Sequence, residues 1–419
     1  MTTAPNRWLI AVAGILMQIA FGAVYAWSVF RIPLTKAHGW TISEVTLVFE
    51  LTIFVLGFAA FFGGLWMKRS GPRPVALTAS VLYGLGTCLA GVADNLTALY
   101  LAYGVIAGAG LGFGYIVPIA TLVRWFPDKR GMITGLAVAG FGAGALVTAP
   151  VANALISSVG VARTFETLGL SYLVIVFACA FRMRNPPEGF APAGYRTSGE
   201  RTGAAAARNF SLRQALGTWQ WYALWLTLFL NTTAGIAIIS QASPMAQEIS
   251  HVSAATAAGL VGLISIANGA GRFLWAWFSD TVGRRSVFLA MFLLQSAMFL
   301  ALANTDGFAL LSLLSFVILL CYGGGFGTMP AFVADYFGSR QIGSIYGMML
   351  TAWGFAAVFG PTLVARIRQA TGYYQGALRW LAVATLVSAV LPLLLRPPAA
   401  PRETAPDMTA VNQDRIART

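Results

Sequence analysis

Long apolar segments alternate with short polar connections along almost the whole chain. A helix that crosses the hydrocarbon core of a bilayer needs about 20 predominantly apolar residues. Segments of that length predict twelve membrane helices, near residues 8–30, 45–67, 75–93, 97–124, 132–157, 165–183, 219–245, 254–279, 286–303, 307–334, 342–365 and 376–395. Only helices and closed barrels satisfy their own backbone hydrogen bonds in lipid, so the pattern indicates an all-α membrane protein.

One connection is much longer than the others and divides the chain into two halves. It covers residues 184–218 and contains Asn185-Pro186-Pro187 and a run of alanines. We therefore expect an N-terminal six-helix bundle in residues 1–183 and a C-terminal six-helix bundle in residues 219–396. A cytoplasmic tail at 397–419 is expected to be disordered. The end of the linker, residues 211–216, is consistent with a short interfacial helix.

The two halves repeat each other at an offset of 212 residues. The matching pairs are Gly71/Gly283, Arg73/Arg285, Pro118/Pro330, Gly135/Gly347 and Gly142/Gly354. A constant offset across separated residues favours a duplication, in which the first six helices recur in parallel as the last six. In carriers built from such repeats, the binding site lies near the membrane midplane between the halves.

Composition and charge support a membrane protein and narrow its partners. The chain is 58% hydrophobic and only 10% charged, whereas soluble domains have roughly 25% charged residues. The net charge of +13 does not indicate nucleic acid, because lysine and arginine are concentrated in the N-terminus, the linker and the connections on the same side. This bias predicts that both termini are cytoplasmic. The three cysteines lie in apolar runs and do not suggest disulfides, and two histidines are too few to suggest a metal site. No cofactor is predicted.

Arg272 is the one charged residue in the apolar run Gly259–Ser279. A charge at that depth in lipid costs several kcal/mol. Arg272 precedes Asp280 by eight residues, about 12 Å along a helix, so it cannot easily reach the interface. Asn268, one turn earlier, shares its face. A guanidinium binds a carboxylate through two parallel hydrogen bonds, which indicates an anion site. The alternative is an internal ion pair with Asp280 or an acid of another helix.

Several stretches resemble a known family of carriers. Trp277–Arg285 resembles the loop signature of the major facilitator superfamily, and its first-half counterpart has Lys68 where an acid is usual. Gly22–Ser28, Arg124–Gly140 and Asn268–Arg272 are similar to the branch of monocarboxylate transporters and oxalate/formate antiporters. The resemblance implies two pseudo-symmetric six-helix bundles. It also implies gating or structural roles for loop residues, namely Arg130, Asp280, Gly283, Arg284 and Arg285.

The resemblance also implies a substrate site. Arg272 would hold the carboxylate with support from Asn268, and aromatic side chains would line the cavity, namely Tyr25, Tyr115, Tyr322 and Phe326. For any one of these aromatics, ordinary helix packing is an equal alternative. Trp353 occupies the position where oxalate/formate antiporters place a second cation. A single buried cation favours a monocarboxylate, such as lactate or pyruvate, over the dianion oxalate.

Proton coupling is expected by analogy alone. Animal monocarboxylate transporters use a lysine on the first helix and an acid on the eighth; here those positions are Ala26 or Trp27, and Asn268. The proton would therefore enter with the substrate or use another group, and Glu50 is the acid that lies well inside a first-half helix. An interfacial position for Glu50 is the alternative.

We thus expect a monomeric, proton-coupled carrier of small monocarboxylates in the cytoplasmic (inner) membrane. An oxalate/formate-type antiporter is the alternative in the same class. A receptor that binds a carboxylate without moving it is disfavoured because the linker and tail are short. An enzyme is disfavoured because no nucleophile–base pair or metal cluster is visible.

Overall fold

The computed structural model describes residues 6–187, 190–192 and 209–400. Within these ranges the regular structure is entirely helical. The alanine run of the linker and most of the tail that was predicted to be disordered lie outside the described residues. The predicted interfacial segment forms a five-residue helix, Leu212–Leu216, with Ser211 as its N-cap.

The described residues contain twelve helices that are long enough to cross a membrane. Their bounds are α1 Arg7–His38, α2 Ile42–Ser70, α3 Pro72–Gly91, α4 Leu96–Trp125, α5 130–159, α6 161–180, α7 Trp219–Ser250, α8 Ala254–Val282, α9 Arg284–Leu302, α10 Phe308–Phe337, α11 Ile342–Thr371 and α12 Gln375–Leu394. In the described part of the chain, ten continuous helices are apolar and long enough to span a bilayer. Breaking the 51-residue helix Arg130–Ala180 at Gly160, and adding the 29-residue α8, makes twelve. The predicted fold class is confirmed.

Some helices extend beyond the apolar segments from which they were predicted, because a polar turn continues the helix. The first span was predicted to end near residue 30, but α1 continues to His38 and stops at Gly39, which has φ 74°. Gly160 separates α5 from α6 because its φ of 83° and ψ of 170° are not helical. Glycine adopts a positive φ without the Cβ clash that other residues meet.

The predicted repeat is present in the backbone of the two halves. Residues 212 apart have the same roles at helix ends. Thr41 and Ser253 are N-caps of α2 and α8 and accept backbone hydrogen bonds through their hydroxyls. Three further pairs have positive φ at or next to a helix end: Gly39/His251, Gly71/Gly283 and Gly160/Gly372. Equivalent caps set equivalent helix lengths in the two bundles.

A pair of arginines repeats at the same offset. Arg73 donates to the carbonyl of Phe181 at 2.9 Å, and Arg285 donates to that of Leu393 at 2.6 Å. Both the donors and the acceptors are 212 residues apart. Each arginine thereby ties the start of the third helix of its half to the end of the sixth, a favourable place for a cation because free carbonyls end the helix.

The linker joins the end of α6 to the start of α7, and the end of the helix bundle where it lies is called the linker end. At the α2–α11 crossing between the halves, a β-carbon on Gly64 would overlap the carbonyl of Gly343 at the linker end. One turn further, a β-carbon on Gly347 would lie 2.6 Å from Ala60 O. Near the middle of the membrane, a β-carbon on Gly354 would lie 3.7 Å from its nearest neighbour, the carbonyl oxygen of Phe54. The crossing therefore loosens away from the linker end.

The α5–α8 crossing has the same form. A β-carbon on Gly131 would overlap the α8 backbone at the linker end, and one on Gly135 would lie 2.6 Å from an α8 side chain. The clearance at Gly142 is 3.0 Å, and nothing lies within 4 Å of Gly262 or Gly259. Both crossings between the halves are thus closed at the linker end and open towards the far end.

Packing of α8 against α10 sets the depth of Arg272. A β-carbon on Gly323 would overlap the carbonyl of Asn268, and one on Gly327 would overlap that of Arg272. A β-carbon on Gly271 would overlap the carbonyl of Leu320. Small residues let membrane helices approach at backbone distance, so α8 is held in one register against α10.

Gly327→Ala is expected to destabilise the protein because the added methyl group meets the backbone of α8. Overpacking of this kind costs about 1–3 kcal/mol. Thermal unfolding of the purified protein in detergent, followed by tryptophan fluorescence, should show a lower Tm for this variant. Gly262→Ala is the matched control, since the space around Gly262 is open, and equal Tm changes in the two variants would contradict the packing described above.

Candidate functional site

Arg272 lies in the middle of the bundle and is 0% exposed. Its Nε donates to Asn268 Oδ1 at 3.2 Å, one turn earlier on α8. Its terminal nitrogens reach the other half of the protein: Nη1 donates to Val138 O at 3.4 Å and Nη2 to Tyr25 Oη at 3.2 Å. The guanidinium therefore joins α8 to α1 and α5 through neutral acceptors.

No carboxylate pairs with Arg272 within the described ranges. Asp280, the acid considered for an internal ion pair, pairs instead with Arg284. A guanidinium has five N–H donors, and three are used in the hydrogen bonds above. One N–H remains on each terminal nitrogen, which is the pair that a carboxylate accepts in bidentate geometry.

Three aromatic rings surround the guanidinium. Its Cζ lies 5.1 Å from the ring centroid of Phe326, 5.7 Å from that of Phe141 and 5.8 Å from that of Tyr25. These rings come from α10, α5 and α1, and a cation within about 6 Å of a ring face is attracted by the ring quadrupole. The rings thus offset part of the cost of burying the charge.

Phe141 is the centre of the aromatic cluster. Its ring centroid lies 5.3 Å from that of Tyr25, 5.1 Å from that of Tyr115 and 6.2 Å from that of Trp353. Trp353 also contacts Phe326 at 4.8 Å. The cluster therefore draws on α1, α4, α5, α10 and α11, and it spans both halves.

The residues proposed from the sequence occupy two layers. Arg272, Asn268, Tyr25 and Phe326 are in direct contact. Tyr322 lies against Phe326 at 5.3 Å, and its hydroxyl lies beside that of Tyr25. Tyr115 and Trp353 form a second layer, in which they touch Phe141 instead of the guanidinium. The structure thus brings all seven residues into one cluster.

Three cluster residues were missed by the sequence reasoning. Phe141 and Val138 contact the guanidinium from α5, and the Tyr346 hydroxyl lies next to that of Tyr115. These two buried hydroxyls have no other polar partner in the described part of the chain. In the sequence, Phe141 could have been singled out as a large ring inside the glycine-rich stretch 140–144. Glycines on both sides of it leave room for one bulky group.

A local change of helix type positions Tyr25. Residues Ala23–Trp27 form a 3-10 segment within α1. Such tighter turns inside a longer helix re-aim the side chains they carry. Immediately before it, a β-carbon on Gly22 would overlap the Phe141 carbonyl. The close approach of α1 to α5 therefore places Tyr25 and Phe141 side by side.

The loop residues form a second cluster at the linker end. The Asp280 carboxylate accepts from the backbone N–H of Gly131 at 2.9 Å and of Met132 at 2.8 Å. These N–H groups open α5, and an anion at a helix N-terminus is favourable. Arg284 donates to Asp280 at 2.6 Å. Asp280 therefore bridges the C-terminal half to the N-terminal half.

Asp335 extends this bridge. Its two oxygens accept from Arg130 at 2.9 Å and from Arg284 at 3.0 Å, so Arg130 of the first half joins the same network. Gly283 ends α8 with φ 90°, and Arg285 donates to carbonyls at the end of α12. Of the five loop residues, Arg130 and Asp280 therefore form hydrogen bonds between the halves, and Arg284 joins the two acids Asp280 and Asp335 within the C-terminal half. Gly283 and Arg285 also act within that half.

Metal ligands do not cluster anywhere in the described residues. Cys321 is buried, while Cys88 and Cys179 are half-buried, and all three are free thiols. Around Arg272 the structure gathers neutral hydrogen-bond acceptors and aromatic rings.

Comparison with known proteins identifies the family. The sequence matches the model of the Major Facilitator Superfamily over residues 10–273 and 224–414. The chain belongs to the major facilitator superfamily. The resemblance inferred from the loop signature is confirmed, and proteins of this superfamily that match the chain are membrane transporters, not enzymes.

Relatives and a solved structure agree with this assignment. The chain is 26% identical to the oxalate:formate antiporter of Oxalobacter formigenes over 97% of each chain. It is 27% identical to apicoplast pyruvate carrier 1 of Toxoplasma gondii over 74% of this chain and 67% of the relative. Monocarboxylate transporters are also among the matching proteins. A double-tryptophan variant of XylE has a TM-score of 0.75 at 14% identity, covering 97% of this chain and 98% of XylE.

Proposed function

We propose that this protein transports small monocarboxylates, such as L-lactate or pyruvate, across the cytoplasmic membrane by alternating access. The observation that carries the proposal is the buried Arg272 guanidinium, which has neutral partners and one N–H left on each terminal nitrogen. The names of the carboxylate-carrying relatives support the same substrate class.

Binding of a carboxylate would offset the electrostatic cost of burying the Arg272 guanidinium among neutral partners. A buried charge is expensive unless it is paired and hydrogen-bonded. A carboxylate between the two free N–H groups would supply the missing charge and two charge-assisted hydrogen bonds. Asn268 and Tyr25 hold the Arg272 guanidinium in position through their hydrogen bonds. The Tyr322 hydroxyl, which lies beside that of Tyr25, would hydrogen-bond the hydroxyl or keto oxygen of the substrate. The aromatic rings would pack on the short carbon chain of the substrate.

Access to Arg272 would alternate through the two crossings between the halves. With the linker and both termini in the cytoplasm, as the cation bias indicates, closure at the linker end makes the structure outward-facing. Arg272 contacts Val138 and Tyr25 of the first half from its place in the second. An anion that takes over these N–H donors would weaken one link between the halves, which is a differential interaction of the kind that shifts a conformational equilibrium.

Substitution of Arg272 tests the proposal directly. Uptake of radiolabelled L-lactate into proteoliposomes should fall at least about a hundredfold in Arg272→Ala, because two charged hydrogen bonds of about 1.5–3 kcal/mol each are lost. Arg272→Lys should recover little of it, because an ammonium group does not offer two parallel N–H donors. Arg69→Ala, an exposed cation at the linker end, serves as the control. Full uptake by a folded Arg272→Ala protein would overturn the site.

Proton coupling is the second part of the proposal. No acid contacts Arg272 in the described residues, so the proton would enter with the substrate's own carboxyl group or bind a titratable group away from the site. Glu50 lies on α2 and is exposed, one turn from Phe54 and two turns from Gly57. Gly57 packs against α11 at its Leu350 carbonyl, so Glu50 lies on the face of α2 directed towards the opposite half.

An inward proton gradient is expected to raise the initial rate of L-lactate uptake several-fold in proteoliposomes, since a co-transported proton adds its own driving force. Glu50→Gln should remove this stimulation and keep lactate binding. The control is the same measurement with Glu44→Gln, an acid in the first turn of α2. Uptake that ignores the gradient and requires preloaded anion would establish exchange in place of symport.

Carboxylate anion exchange of the oxalate/formate kind is the second candidate function, since the oxalate:formate antiporter matches 97% of the chain. The site argues for a monoanion, because Trp353 packs on Phe326 and Tyr115 where that branch places a second cation. One buried cation neutralises one carboxylate and leaves a second one uncompensated.

Trp353→Lys is therefore expected to change selectivity. A second cation beside Phe326 should raise inhibition of L-lactate uptake by oxalate at least about tenfold relative to inhibition by pyruvate, for an interaction of about 1.4 kcal/mol. Trp353→Phe keeps the apolar contacts and should leave this ratio unchanged. Strong oxalate inhibition of the unmodified protein would instead favour the antiporter.

A further inference from the structure

A separate cavity lies at the linker end, between the two halves and away from Arg272. Its volume is about 50 Å³. Lys68 from the end of α2 and Arg124 from the end of α4 line it from the first half. Arg340 and the first turn of α11 line it from the second half, and Asn185 adds an amide. The cavity therefore collects three cations from both halves.

None of these three cations has an acidic partner in the described part of the chain. Arg124 is half-buried and close enough to Arg340 for the two charges to repel each other. Nearby arginines elsewhere at the linker end are neutralised, as Arg130 and Arg284 are by Asp335. Within the described ranges, three cations that lack an acidic partner therefore surround one small cavity, an arrangement that an anion stabilises.

The residues equivalent to the cavity lining, 212 positions away in the sequence, form the bridge at Asp280. In the C-terminal half, Asp280 accepts from the first N–H groups of α5, those of Gly131 and Met132. The residues 212 positions away are Lys68, Gly343 and Ser344, and all three line the cavity. A lysine thus replaces the carboxylate, and the N-terminus of α11, a natural anion site, is without the acidic partner that α5 has.

We propose that this cavity binds a small oxyanion of the phosphate type, which takes the place that the Asp280 carboxylate has in the pseudo-symmetric bridge. A cavity needs roughly 10–15 Å³ to hold one water, so this one has room for a four-oxygen anion. The guanidinium, ammonium and amide groups supply charge-assisted donors. Bound there, the anion joins Lys68 and Arg124 of the first half to Arg340 and α11 of the second.

The inference goes beyond the proposed function, because no residue of the cavity belongs to the Arg272 cluster. Both bridges at the linker end would then hold the halves together, one through Asp280 and the other through a cytoplasmic anion. The anion would stabilise the state that is closed at the linker end. The shared chemistry is a phosphate group, which either free inorganic phosphate or the headgroup of an anionic lipid can supply.

Thermal unfolding of the full chain in nanodiscs of phosphatidylcholine tests the site without any transport assay. Inorganic phosphate, titrated at constant ionic strength against chloride, is expected to raise the Tm saturably, because a ligand that binds only the folded state stabilises it. Lys68→Gln and Arg340→Gln should each weaken the apparent phosphate affinity at least about tenfold. Arg69→Gln removes the neighbouring exposed cation, which does not line the cavity, and should leave the affinity unchanged.

A second arm separates the two sources of phosphate. Nanodiscs that contain phosphatidic acid, without free phosphate, should give the same Lys68- and Arg340-dependent rise in Tm if a headgroup reaches the cavity. Lys68→Asp restores the carboxylate of the other half, so this variant should have a higher Tm without ligand and no response to phosphate. The proposal is overturned if neither probe gives a saturable shift, or if Arg69→Gln loses the shift as fully as Lys68→Gln does.

Discussion

A single uncompensated charge, buried at the meeting point of the two halves, constrains the rest of this structure. Arg272 cannot reach water from its depth in α8, so its stability depends on what the surrounding helices offer. They offer a carbonyl, an amide oxygen, a phenol oxygen and three ring faces. These are enough to hold the cation in place and too few to neutralise it. The proposed anion site rests on that imbalance.

Much of this arrangement follows from local sequence. Hydropathy alone locates the spans, because the bilayer demands long apolar helices whatever their neighbours are. The repeat could be detected because caps and turns at Gly71, Gly283 and similar positions need particular residues, and those residues stay at a constant offset. Arg272 stands out for the same reason, since its cost depends on depth and not on partners. The sequence therefore predicts the fold class and the central residue of the site.

What the sequence does not contain is the register between helices. Phe141 and Val138 reach the guanidinium only because glycines let α5 approach α1 and α8 at backbone distance. The second layer around Tyr115 and Trp353 depends on the same contacts. Likewise, Lys68 was recognisable as a departure from the family loop, but its convergence with Arg124 and Arg340 requires the two halves to be assembled. Charges that are far apart in the chain become one site only through tertiary packing.

The graded closure of the two crossings gives the molecule a mechanical property. Clearance between α5 and α8 rises from overlap at Gly131 to open space at Gly262, and Gly142, which lies against the Arg272 side chain, is intermediate. Arg272 therefore lies at the fulcrum of this crossing, about 15 Å from Gly262 at 1.5 Å per residue. Displacements near a fulcrum are small while those at the helix ends are large. In the proposed alternating-access cycle, the aromatic cluster around Arg272 would therefore move least, and the proposed site would keep one binding geometry while the openings change.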